Sequence, residues 1–319
     1  MEPGQVDRNL LRLLPLAART HDMTLADVLP LTHRPPPLSS PPLEQVARRV
    51  VVARRNDRPV VIMLGAHVIK QGLSLFLIDL LDKGMVTHLA ANGACAIHDF
   101  ELALVGGTTE SVARYLAEGQ FGLWEETGRI NDLVAQGAQA GLGFGAAMGK
   151  AIHEGAFPHR DVSVFAAAFR LGVPASVHIG IGQDIIHMHP NFDPQLTALA
   201  SYCDFLSLAH TLLELEGGVF LNYGSAVTGP EVFQKALSMA RNLAAQRGQT
   251  VERFSTAVFD LHDLGPEVDR EPPPDDPRYY FRPYKTLLVR AISRGGESFY
   301  VRGDHRLTLP HLHRLLLQP

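Results

Sequence analysis

Residues 87–99 read THLAANGACAIHD, an apolar stretch that gives way to the smallest side chains and ends on His98-Asp99. Small residues let another segment or a ligand approach the backbone closely, and a histidine there is suited to act as a base near neutral pH. Other places share this design. Gly65-Ala66-His67, Asn92-Gly93-Ala94, Gly180-Ile181-Gly182-Gln183-Asp184, Asn222-Tyr223-Gly224-Ser225, Ser255-Thr256-Ala257 and Gly303-Asp304-His305 each follow an apolar run and carry a polar tip. Glycines at strand ends let backbone N–H groups reach a pyrophosphate, and helix N-termini add positive dipole ends. Together they suggest a dinucleotide-sized cleft.

The elements that must position these residues follow from the hydrophobic rhythm. PVVIMLG (59–65), MVTHLAA (85–91), PASVHIG (174–180), GVFLNYGSAV (218–227), RFSTAVFDL (253–261) and ESFYVRG (297–303) read as strands, several of them continuous apolar runs buried on both faces. Amphipathic helical stretches alternate with them, such as PEVFQKALSMARNLAAQRG (230–248), which has Pro230 in its first turn and Gly248 at its end. This alternation predicts an α/β fold with a Rossmann-like, doubly wound parallel sheet. Leucine spacing over residues 6–30 predicts extra N-terminal helices, and THRPPPLSSPP (32–42) is a connector. The expected division is an N-terminal arm and connector at 1–42 and one catalytic domain at 43–319. KTLLVRAIS (285–293) reads as a further strand, after an acidic, proline-rich loop at 266–277.

Composition excludes several classes. Formal charge is −4 with no block of Lys or Arg, so neither nucleic acid nor an anionic membrane is an expected partner. Cys95 and Cys203 are far apart, which argues against a disulfide framework and fits a reducing cytoplasm. No signal pattern stands at the N-terminus and no uninterrupted apolar run reaches the roughly 18 residues of a membrane span. Fifteen histidines keep a metal in view; His187-x-His189 with Asp184 and His178 has suitable spacing. A metal-dependent hydrolase and a non-catalytic nucleotide-binding protein therefore stay open beside a cofactor-using enzyme that needs no metal.

The order and spacing of LGAHVIKQGL, VTHLAANGACAIHDFELAL, WEETGRINDLV, VPASVHIGIGQDII and VFLNYGSAVTGPEVF resemble segments of the deoxyhypusine synthase family over about residues 55–310. The resemblance implies NAD as cofactor, a homotetramer with sites at dimer interfaces, and a two-stage reaction. NAD accepts hydride from a polyamine; a lysine then holds the aminobutyl group as an imine before transfer to an acceptor amine, such as a protein lysine. On this likeness the cofactor-binding residues are His67, Asn92, Gly93, Asp184, Gly224, Ser225, Thr256, Ala257 and Asp304. Lys285 takes the place of the catalytic lysine, and His98 and Asp99 mark the substrate side.

The departures are specific. The family's acidic pair after the glycine turn reads Ile97-His98 here, leaving Asp99, and its His-His reads Thr228-Gly229. Losing anionic partners for a polycation removes charge-assisted contacts worth roughly 1.5–3 kcal/mol each. The expected enzyme is therefore an NAD-dependent alkylamine transferase with an altered small-molecule amine substrate.

Overall fold

A computed structural model describes residues 4–317. Its main sheet has six strands: β1 (Val60–Leu64), β2 (His88–Asn92), β3 (Ala175–His178), β4 (Val219–Tyr223), β5 (Ser255–Asp260) and β6 (Glu297–Arg302). They lie in the order β3-β2-β1-β4-β5-β6, and every neighbouring pair is parallel. All residues of β1 and β4 are buried, as their unbroken apolar runs require. The strand order reverses between these two, so the crevice outside their carboxyl ends is the place where a doubly wound sheet takes its ligand.

Among the described residues the α-helices of eight residues or more clothe the sheet: α1 (Pro41–Arg55), α2 (Ser74–Asp82), α3 (Gly93–Val105), α4 (Glu125–Gln139), α5 (Phe144–Glu154), α6 (Val164–Leu171), α7 (Pro194–Leu213), α8 (Thr228–Gln246) and α9 (His305–Leu317). Side chains alternate along each strand. Ile62, Leu64, Leu221 and Phe259 join a core with α1–α6 and α9, whereas Val61, Met63, Phe220 and Val258 join a second core with α7 and α8. Helix α7 is long and apolar enough, by length and composition, to cross a bilayer. It nevertheless lies against the sheet, with Asp204 buried and accepting from the Gly145 and Val177 N–H groups.

Three expectations are corrected. Residues 6–30 form no α-helix: three single 3-10 turns (Arg8–Leu10, Leu16–Ala18, Leu25–Asp27) flank a two-residue strand, Met23–Thr24. Pro15 and Pro30 break the leucine spacing, and the segment is held by tertiary contacts instead. Met23–Thr24 pairs antiparallel with Gly107–Thr108, Leu14 bridges to Trp124, and Leu16 packs on Tyr115 and Trp124. The arm from Leu14 to Thr24 is thus sewn onto the surface of the α/β unit. Residues 284–290 form a wide-turn π-helix rather than a strand; a short apolar run carries too little period to separate the two states. It packs on β5, where Thr256 Oγ1 donates to the Leu287 carbonyl at 2.7 Å. Finally, Ser255-Thr256-Ala257 opens β5 instead of ending it.

Candidate functional site

Helix α3 begins where β2 ends. The Asn92 side chain caps it, its Oδ1 accepting from the Cys95 N–H at 3.1 Å. A Cβ on Gly93 would lie 2.1 Å from Asp184 Oδ2, so at this position the small residue makes room for the protein's own carboxylate. Cys95 is small for a related reason: its Sγ lies 3.5 Å from the Leu64 carbonyl at the end of β1. Burial pushes the Asp184 carboxyl up to about 6, and its oxygens have no hydrogen-bond donor from a side chain among the described residues.

One turn further on, Ala94, Ile97, His98 and Glu101 share a helix face, and that face forms the wall of a cavity of about 210 Å³. The opposite wall comes from the arm and from the loop around Asp184, with Arg19, Lys70, Glu110, Phe121 and Gln183 among its lining. Arg19 is buried and grips Glu101 in a fork, Nη1 to Oε1 at 3.0 Å and Nη2 to Oε2 at 2.6 Å. Thr127 and Thr108 hydroxyls each donate to Glu101 at 2.6 Å. Arg19 and these donors hold the Glu101 carboxyl below its usual range despite complete burial. Glu110 differs: it accepts from Trp124 Nε1 at 2.9 Å and the Gly122 N–H at 3.1 Å, yet burial raises it. Burial also lowers His98 to about 4, so its ring is neutral at pH 7. The cavity therefore presents two basic side chains, three acidic ones and a neutral imidazole.

The crest of the sheet beside this cavity is built from two turns in contact. Gly65 N donates to the Tyr223 carbonyl at 2.7 Å, and a Cβ on Gly65 would fall 2.2 Å from the Gly224 carbonyl oxygen. Gly224 has φ +66°, and a Cβ there would meet His305 Nε2 at 2.5 Å. Ser225 Oγ accepts from the Gly229 N–H at 2.8 Å, which ties down the first turn of α8. Asn222 Oδ1 is buried without a donor among the described residues. Gly65 and Gly224 place glycine backbone at the switch point, where a doubly wound sheet would hold a pyrophosphate, and Asp184, which lines the cavity, would accept from a ribose hydroxyl.

Of the residues singled out from sequence, His67, Asn92, Gly93, Asp184, Gly224, Ser225 and Asp304 all follow carboxyl ends of strands. His67 is exposed at the start of a one-turn helix, His67–Lys70, that follows β1, and Asp304 caps the start of α9 by accepting from the Arg306 N–H at 2.8 Å. Thr256 and Ala257 lie in the buried amino-terminal half of β5, away from that crest. His98 lines the cavity but Asp99 does not. Asp99 points into the core and caps α6, accepting from Ser163 Oγ at 2.5 Å and the Val164 N–H at 2.7 Å. Lys285 is buried with its Nζ 3.6 Å from the centre of the Tyr279 ring, on the face of the sheet opposite α3. The histidine cluster does not converge either. His189 Nε2 pairs with the Gly122 carbonyl and His178 Nε2 with Ser176, and among the described residues no three His, Cys, Asp or Glu side chains are arranged to hold a metal.

The sequence reading missed Arg19, Lys70, Glu101, Thr108 and Glu110. One signal was available: His98 and Glu101 are three apart on a helix, so whatever meets one meets the other.

No family model and no curated protein matches the chain. Solved structures do. A conserved protein assigned as LOR/SDH from Methanococcus maripaludis S2 superposes with a TM-score of 0.52 at 13% identity, over 86% of this chain and 66% of that one. Unliganded AgrE superposes at 0.51 and 18% identity, over 89% of this chain and 34% of its own. A protein assigned as a deoxyhypusine synthase from Entamoeba histolytica gives 0.39 at 10% identity, over 86% of each chain, too distant to carry an argument. This chain thus spans about a third of AgrE and just under two thirds of the LOR/SDH protein. What these likenesses establish is the fold, a Rossmann-like α/β sheet.

Proposed function

We propose that the chain is an NAD-dependent enzyme acting on the amine-bearing carbon of a small cationic substrate, and that the substrate's ammonium lies in the cavity between the arm and α3. The observation that carries this reading is the position of that cavity. It adjoins the carboxyl end of β2 and offers the Glu110 and Asp184 carboxylates and a neutral His98 as acceptors. Carboxylate contacts to an ammonium supply the binding that the Ile97-His98 replacement removed elsewhere. Bound NAD would supply a hydride acceptor; the chain's own residues would hold the substrate, take its proton and exclude water.

In its fuller form the reading is alkylamine transfer. Lys285 would take the aminobutyl-type group as an imine and release it to an acceptor amine, a small molecule or a protein lysine, within a homotetramer. Support for that half is the resemblance in sequence order; Lys285 is buried, but across the sheet from the cavity, so the transfer would take place at a second position.

Calorimetry with NAD, followed by a panel of diamines, polyamines and amino acids in the presence of NAD, tests the reading. NAD should bind the native chain and fail to bind Gly224→Val, whose side chain would need φ +66° and would strike His305. Glu110→Gln should weaken the accepted amine about tenfold or more, the ratio that loss of ~1.4 kcal/mol produces, and leave NAD binding unchanged. Absence of NAD binding by the native chain would refute the cofactor assignment. An unaltered amine affinity in Glu110→Gln would refute the cavity.

A further inference from the structure

The cavity contains a chain of hydrogen bonds whose direction fixes the state of its histidine. Glu101 is 1% exposed and gripped by Arg19 through both oxygens; an ionised carboxylate so held has no proton to give. The 2.6 Å contact between Glu101 Oε2 and Thr108 Oγ1 must therefore contain the threonine's single hydroxyl proton. With that proton committed, Thr108 Oγ1 can only accept in its second contact, which is with His98 Nδ1 at 2.8 Å. A neutral imidazole carries one ring proton. It must be on Nδ1, and Nε2 is left with its lone pair. Nε2 has no hydrogen-bond partner among the described residues, while the ring lines the cavity.

We propose that Arg19, Glu101 and Thr108 are positioning residues that hold His98 as its Nδ1–H form, and that His98 Nε2 is the base that deprotonates an ammonium ligand in this cavity. The proton step is balanced within the site: the N–H bond of the ammonium breaks, a proton joins Nε2, and a neutral amine and an imidazolium result. Glu101, at the far end of the chain, then stabilises the imidazolium through the Thr108 hydroxyl. The other charged or titratable groups facing His98 are Lys70 and His67 from the segment after β1 and Arg19 from the arm; Glu101 is on its own helix, and Glu110 and Asp184 line the same cavity. The three that carry or can carry positive charge oppose the imidazolium, so the ring is a base that gives its proton up again readily. The basic role of Nε2 rests on the amine reading above; the tautomer does not.

Nitrogen-15 NMR of histidine-labelled protein, with His98 assigned by comparison with His98→Gln, separates the two. At pH 7 the His98 Nδ1 signal should be of the protonated type and Nε2 of the lone-pair type. Thr108→Val should abolish this preference, because valine cannot accept from Nδ1, and Thr108→Ser should restore it. An Nε2–H form in the native protein overturns the chain of bonds, and so does an unchanged tautomer in Thr108→Val. The native measurement decides even if the valine variant fails to fold. For the base itself, native protein with an accepted amine and NAD should lose turnover as pH falls through the His98 titration, and Thr108→Val should move that limb of the profile while Thr108→Ser leaves it in place. An identical profile in all three removes His98 as the base and leaves the tautomer standing.

Discussion

Two regions of this molecule hold buried cations against the sheet, and they are built in opposite ways. Arg19 comes from an irregular arm, reaches across 82 residues of sequence, and is matched atom for atom by Glu101. Lys285 sits on the other face of the sheet, in a π-helix under the proline-rich loop, and rests on the ring of Tyr279. The arginine is locked, its fork filled by a carboxylate; the lysine nitrogen rests on an aromatic ring. A fully paired cation can organise a site but has nothing left to offer a substrate. A cation held only by a ring keeps its donors, or its nucleophilicity once deprotonated, in reserve. The difference assigns organisation to the cavity of Arg19 and leaves covalent chemistry, if the transferase half holds, to Lys285.

The largest expected effect lies at Arg19. Arg19→Ala leaves Glu101 buried without its partner, and breaking one side of such a pair costs about 3–5 kcal/mol. Urea denaturation of the two proteins should show a loss of that size, with the arm released from Tyr115 and Trp124. A loss under about 1 kcal/mol, typical of a surface pair, would mean that water reaches Glu101 and that the cavity is open.

At Lys285 the comparison predicts the reverse: a small cost in stability and a large one in chemistry. Lys285→Met keeps the apolar stem and gives up a cation–π contact worth about 0.5–2 kcal/mol. Borohydride trapping of native protein with NAD and an accepted amine should add mass to the peptide that contains Lys285, and Lys285→Met should abolish it. If the variant still forms reduced cofactor from the amine while trapping is lost, oxidation belongs to the cavity and transfer to the lysine. If trapping persists in the variant, Lys285 is only a structural cation.

What could be read from sequence divides along the same line. Strands such as VVIML declare themselves because both faces are buried, and the turns Gly65-Ala66 and Gly224-Ser225 because a close crossing demands glycine. His98 and Asp184 were visible as polar tips on small-residue turns. The Arg19–Glu101 fork was not, since nothing in the spacing of two residues 82 apart announces that an arm will fold over a helix. The arm itself misled, because its leucines repeat at helical spacing while its prolines forbid the helix. Asp99 misled for another reason: a polar residue beside a candidate base reads as chemistry, and here it caps α6. Thr256 was placed at a strand end because a single sequence locates strand boundaries poorly, and a shift of a few residues moves a side chain from crest to core.

The smallest effect is on pH dependence, and its sign is fixed by His98. Burial holds the folded ring at about 4, against 6.5 when exposed. Between those values the unfolded chain binds a proton that the folded chain refuses, so stability rises with pH across the window. The contribution is complete above about 6.5 and is lost as pH falls towards 4. Buried Asp184 and Asp99, both raised to about 6, act oppositely over much of the same range, because the folded chain keeps protons that the unfolded chain has released. The native curve alone is therefore a poor test, and a difference isolates the histidine. The stability of native protein minus that of His98→Phe, measured by urea denaturation at pH 7 and at pH 4.5, should be larger at pH 7. Asp99, although next to His98 in the chain, points the other way into bonds with Ser163 and Val164 and is not acted on by the His98 charge, so it cancels in the subtraction, and Asp184 can be removed from it by repeating the pair in an Asp184→Asn background. A difference that stays constant with pH would show that the ring is not held neutral. Lys285→Met serves as the control on the opposite face of the sheet, and a slope there as large as that of His98→Phe would reverse the assignment of the two regions.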